Sequence, residues 1–130
     1  MLQLTAWTLA VVFPSTKALS GLDTIDTKPF LRQLNREAPF TIRATLAVSV
    51  LLFNLTPLLT LGIPLPAFLL SPARVDLHAQ RLSVSSLYLL RQIMLMLKTM
   101  GGLCWGAAPE VRQQLTLAAY PADTGHWRQS

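Results

Sequence analysis

The residues of this sequence that could carry chemistry are few and scattered. His78 and His126 stand far apart, and neither has carboxylates or thiols at ligand spacing. A metal centre or a histidine-based acid–base pair needs such neighbours. His78 reads as a polar residue on a short surface helix. Cys104, the single cysteine, lies between Leu103 and Trp105 and reads as a buried, unreactive thiol. One cysteine also excludes a disulfide scaffold and a cysteine-based metal site. Asp23 and Asp26 could pair as acids, but they precede a helix start and read as capping residues. Gly101-Gly102 ends a helix, the wrong context for a phosphate-binding loop. No nucleophile, base and oxyanion site come together, so the expectation is a chain that is not an enzyme on its own, with no catalytic, cofactor-binding or metal residues.

The elements that would position any site are helices. Leu2–Phe13 is apolar with one helical face, and no Lys or Arg precedes it. It therefore reads as a structural helix rather than a cleaved signal peptide. Asp26 or Thr27 caps a second helix with Pro29 in its first turn, and Ala38-Pro39 stops it. Phe30, Leu31 and Leu34 form its inner face, with Arg32 and Arg36 outside. Ala44–Ala73 contains no charged residue and is bracketed by Arg43 and Arg74. That is long enough to cross a bilayer, yet Pro57 and the segment Gly62-Ile63-Pro64-Leu65-Pro66 interrupt it. The clean helix, Thr41 to Leu61, reads either as one marginal span or as a core helix buried against protein. Ser71-Pro72 opens a short helix holding Val75, Leu77, His78 and Leu82. A fifth helix, from about Ser86 to Cys104, is apolar nearly all round. Its polar strip is narrow: Arg91, Gln92, Lys98 and Thr99. Ala107–Leu117 makes a sixth. The expectation is an all-α bundle of about five to six helices over 1–119, with an extended tail over 120–130.

Composition points outward from this bundle. Only 13% of the 130 residues are charged while 52% are hydrophobic, against about a quarter charged in an ordinary soluble domain. The excess apolar surface must go against lipid or another protein. The net charge of +5 is spread along the chain rather than gathered in a stripe, which argues against nucleic acid. Candidate partner-binding residues are Tyr88, Arg91, Met94, Lys98, Trp105 and Trp127. Met94 sits on a methionine-rich helix that serves equally as pliable contact face or core filling. The two tryptophans are of the type favoured at interface centres. Arg91 could pair with a carboxylate on a partner.

Three stretches carry a family resemblance: Ser85-Ser86-Leu87-Tyr88-Leu89-Leu90-Arg91-Gln92, Leu97-Lys98-Thr99, and Cys104-Trp105-Gly106-Ala107-Ala108-Pro109-Glu110-Val111-Arg112. Together with Val12-Phe13-Pro14 and Phe30-Leu31, they resemble the helical region that precedes the flavin domain in long-chain alcohol oxidases and dehydrogenases. Those enzymes belong to the glucose–methanol–choline (GMC) oxidoreductase family. The chain is similar also to the small subunits of some membrane-associated members. The family's flavin-binding glycines and catalytic histidine are absent. The resemblance therefore implies a non-catalytic small subunit that binds, stabilises or chaperones a large FAD-dependent alcohol dehydrogenase, as a heterodimer or higher assembly. The FAD would belong to the partner, and the subunit would shape its substrate entrance or membrane contact. The implied location is cytoplasmic or peripheral to the inner membrane. The alternative is a small single-span or monotopic membrane protein.

Overall fold

The computed structural model describes residues 1–17 and 19–116, and every regular element among them is helical. The helices are α1 (Leu2–Val12), α2 (Lys28–Glu37), α3 (Phe40–Leu55), α4 (Pro57–Leu61), α5 (Pro72–Ser83), α6 (Tyr88–Ala107) and α7 (Pro109–Gln114). A single 3-10 turn, Ala67–Leu69, joins α4 to α5. The expected all-α bundle is present, and its punctuation is proline. Pro29, Pro57, Pro72 and Pro109 each stand in a first helical turn, where the N–H has no partner within the helix it starts. The tail expected over 120–130 lies outside the described residues.

α6 is the axis of the bundle and packs against α1, α3, α5 and α7. Leu90, Ile93, Met94, Leu97, Met100 and Cys104 point inward, meeting Leu9 of α1, Val50 and Phe53 of α3, and Leu82 of α5 in one core. Gly101 sits under the Phe13 ring, and a Cβ there would stand 3.0 Å from its Cδ2. The Gly-Gly pair thus serves close approach of α1 to α6.

The connection after α1 is tied back on itself. Asp23 Oδ1 accepts from the Ser15 N–H at 3.0 Å and its hydroxyl at 2.5 Å, and Ser15 Oγ accepts from the Gly21 N–H at 2.8 Å. A Cβ on Gly21 would lie 2.3 Å from the Pro14 carbonyl carbon, so only glycine fits. Asp23 is therefore a loop clasp rather than a helix cap, while Asp26 Oδ1 does accept from the Lys28 N–H at the start of α2.

α3 and α4 form a rod broken at Thr56, where Pro57 interrupts the hydrogen-bond ladder. The rod ends at Gly62 in the left-handed conformation. Its inner side packs on α1, α5 and α6. Its outer side meets no other helix among the described residues.

Candidate functional site: an inside-out rod

An α-helix closes N–H(i) to O=C(i−4) bonds, so Pro57 leaves the carbonyl of Phe53 without its donor. Phe53 is fully buried, and a buried carbonyl left unpaired costs about 1–3 kcal/mol. His78 of α5 supplies the donor: its Nε2–H reaches Phe53 O at 2.8 Å. With the proton fixed on Nε2, Nδ1 is the acceptor, and the Thr60 hydroxyl donates to it at 2.5 Å. The imidazole also packs against the Phe53 ring, centroids 4.8 Å apart. Arg81 Nη1 donates to the Thr60 carbonyl one turn from the rod's end. His78 is 0% exposed, so the surface position expected from sequence is corrected. Burial pushes its pKa down, opposed by the bond to Phe53. The group is a neutral structural brace with both nitrogens used, not a base awaiting substrate.

The polar seam continues up the inner face of α3. Asn54 Nδ2 donates to Val50 O at 2.8 Å and to Thr8 Oγ1 at 3.2 Å, and Thr8 in turn donates to Leu4 O. Asn54 Oδ1 is buried with no partner among the described residues. Ser49 and Thr56 are buried on the same rod. Outward, by contrast, stand Val48, Leu51, Leu55, Leu58 and Leu59, all exposed, Leu55 by 67% and Leu59 by 69%. No charged residue interrupts 44–73. Phe40–Leu61 is 22 residues long, its most apolar window has mean hydropathy 1.9, and only 39% of that window is buried. By length and composition it is the one candidate membrane span among the described residues. The 3-10 turn adds Phe68 and Leu69 to the exposed aliphatics.

The partner-binding candidates separate into groups. Tyr88, Arg91 and Lys98 share the outward face of α6 with Leu95 and Thr99. Tyr88 is 68% exposed, with the Arg91 guanidinium 5.9 Å from its ring centroid. Arg91 Nη1 also donates to Ser85 O at 2.9 Å, and Lys98 lies 3.4 Å from the Ser83 hydroxyl. Met94 is 3% exposed, inside the core. Its stripe faces α1, α3 and α5, so it is not part of that surface. Trp105 is half-buried and already committed: its Nε1–H donates to Ser20 O at 2.8 Å, and its ring lies 6.2 Å from Phe13. Trp127 lies outside the described residues. Being apolar nearly all round predicts burial of α6 on most sides; Leu89, Leu95 and Leu103 are instead exposed. Cys104 is buried as expected, and desolvation pushes its thiol up to about 11, far from thiolate reactivity. No group of three or more His, Cys, Asp or Glu able to hold a metal occurs among the described residues.

No family model, no curated protein and no solved structure matches the chain.

Proposed function

We propose that this chain is a non-catalytic helical subunit seated against a membrane by the outer wall of α3–α4, and that it carries a larger enzyme there. The observation that supports this is the inverted rod. Water selects helices with polar residues outside and apolar ones inside. Here Ser49, Asn54 and Thr56 are inside, and Val48, Leu51, Leu55, Leu58 and Leu59 are outside. Hydrocarbon selects that reverse arrangement, with polar groups satisfied inside the bundle. Exposed apolar area of this extent marks a contact surface. Embedding in the interface plane suits the wall better than an isolated span, because a lone span would strip α1, α5 and α6 from the inner face and leave Asn54 in lipid.

The carried enzyme is a FAD-dependent, GMC-type long-chain alcohol dehydrogenase, the partner class implied by the resemblance over 85–112. The outward face of α6, with Tyr88, Arg91 and Lys98, is free to meet it. Flavin and catalysis then belong to the partner, and an apolar seat near its entrance suits a long-chain substrate. The test is purification of the tagged full chain from its native host membranes, with a flavin absorbance scan. A stoichiometric flavoprotein that oxidises long-chain alcohols, lost in Arg91→Glu while the chain stays with the membrane, is the expected result. Membrane retention with no flavin overturns the dehydrogenase and leaves the monotopic reading. Full solubility without detergent overturns the seat.

A further inference from the structure

An open-sided groove of about 290 Å³ lies between the starts of α1 and α3 and the length of α2. Its floor includes Leu31 and Leu46, both buried in the core, with Leu34 and Ala47 beside them. Two arginines line it, Arg32 from α2 and Arg43 from α3, and no Asp or Glu does among the described residues. Arg43 is held in place: its Nη1 donates to the Asn35 carbonyl at 3.1 Å. That carbonyl belongs to the last turn of α2, where the helix has no donor of its own to offer. The Arg43 side chain makes no other hydrogen bond among the described residues. Arg32 is exposed and makes no hydrogen bond or ion pair among the described residues.

We infer that this groove binds a single-chain anionic amphiphile: one alkyl chain bearing a carboxylate or a phosphate monoester. The head sits between Arg32 and Arg43, which match planar or tetrahedral oxyanions through paired N–H donors. The first methylenes lie on Leu31, Leu34, Leu46 and Ala47. Head and tail are ordered by α3 alone, since Ala47 lies one turn beyond Arg43 on the same side. An inorganic anion would leave the apolar floor wet. A neutral or cationic amphiphile would leave two guanidinium groups unmatched. The volume lies at the small end of the range of about 300–1,000 Å³ for ligand pockets, which suits one chain rather than two. The inference is independent of the partner enzyme.

The experiment uses the full chain in maltoside micelles, titrated with dodecanoate carrying a carbon-13 carboxyl label. The carboxyl's titration midpoint is expected to fall by about one pH unit relative to protein-free micelles, as for a carboxylate beside arginine. Arg32→Gln, an exposed residue with no partner to lose, is expected to weaken binding about tenfold, the size of one charge-assisted hydrogen bond. Arg32→Gln with Arg43→Gln should restore the micelle midpoint. Lys98→Gln, remote on α6, should leave it unchanged, and dodecanol should not displace the label. Comparing displacement by unlabelled dodecanoate and by a lauroyl lysophosphatidate tells a free fatty acid from a lipid phosphate as the better source. An unshifted midpoint, displacement by dodecanol, or an equal effect of Lys98→Gln would overturn the site.

Discussion

The two faces of the α3–α4 rod alternate along the same 22 residues and obey opposite rules. The inner face mixes Val50 and Phe53 with Ser49, Asn54 and Thr56, and two polar bonds cross from it, Asn54 Nδ2 to Thr8 of α1 and the Phe53 carbonyl to His78 of α5. The outer face has only aliphatics along its middle, all of them exposed. Hydrophobic burial alone cannot produce this difference in water, because it would favour turning the rod round. The difference teaches that the fold of the single chain is set by the inner face, and that the outer face answers to something outside the chain.

Charge placed on each face gives the largest expected contrast. Val50→Asp puts an unpaired carboxylate in the core, at a cost of several kcal/mol, and is expected to abolish cooperative melting. Leu55→Asp, only five residues on but on the exposed face, should leave melting intact in detergent and raise solubility without it. Equal damage from the two would break the distinction between faces.

The brace at the proline comes next. His78→Leu leaves the Phe53 carbonyl with only a long contact to the Thr56 hydroxyl at 3.5 Å and is expected to cost about 2 kcal/mol in chemical denaturation, within the range of about 1–3 for a poorly paired buried group. Pro57→Ala returns the missing N–H. The penalty of His78→Leu should therefore shrink by about half or more in the Pro57→Ala background. A double-mutant cycle with no coupling would remove the brace from the account.

His78 also sets a pH dependence. Its folded pKa lies below the unfolded 6.5. Below about pH 6.5 the unfolded chain takes up a proton that the folded chain refuses, so stability is complete above that pH and falls as pH drops. The slope is bounded by one proton, about 1.4 kcal/mol per pH unit. Denaturation midpoints measured between pH 7.5 and 5 should show this fall, and His78→Leu should flatten it.

Asn54→Leu has the smallest effect. The substitution removes a buried oxygen that has no partner, while Thr8 keeps its bond to Leu4. A change within about 1 kcal/mol is expected, since polar groups replaced by apolar ones of similar shape can be nearly neutral. A large loss would show that a buried water or a further contact completes the seam.

Much of the fold was legible in the residues, for local reasons. Pro29, Pro57, Pro72 and the Gly62–Pro66 segment mark helix ends wherever they occur, and of the helically spaced Leu87, Leu90, Met94, Leu97 and Gly101 all point inward except Leu87, which precedes the first turn of α6 and is exposed. The roles that were not legible join distant residues. His78 answers a carbonyl 25 positions earlier; the signal was the donor that Pro57 lacks, but nothing in the order of residues says which side chain replaces it. Trp105 answers Ser20, 85 positions away. The Arg32–Arg43 groove exists only because α2 and α3 double back across Ala38-Pro39. The outer wall was visible as a charge-free run, yet its inversion required knowing which side the core takes.

The most direct measurement is site-directed spin labelling of the wall in the presence of lipid vesicles. The native thiol is removed by Cys104→Ala, and labels are placed by Leu55→Cys or, on the outward face of α6, by Lys98→Cys. The account predicts that the label at 55 is reached by oxygen, which partitions into hydrocarbon, and shielded from a water-soluble nickel complex, while the label at 98 is open to nickel. If nickel reaches position 55 as freely as position 98 with vesicles present, the wall does not face lipid and the membrane seat is contradicted.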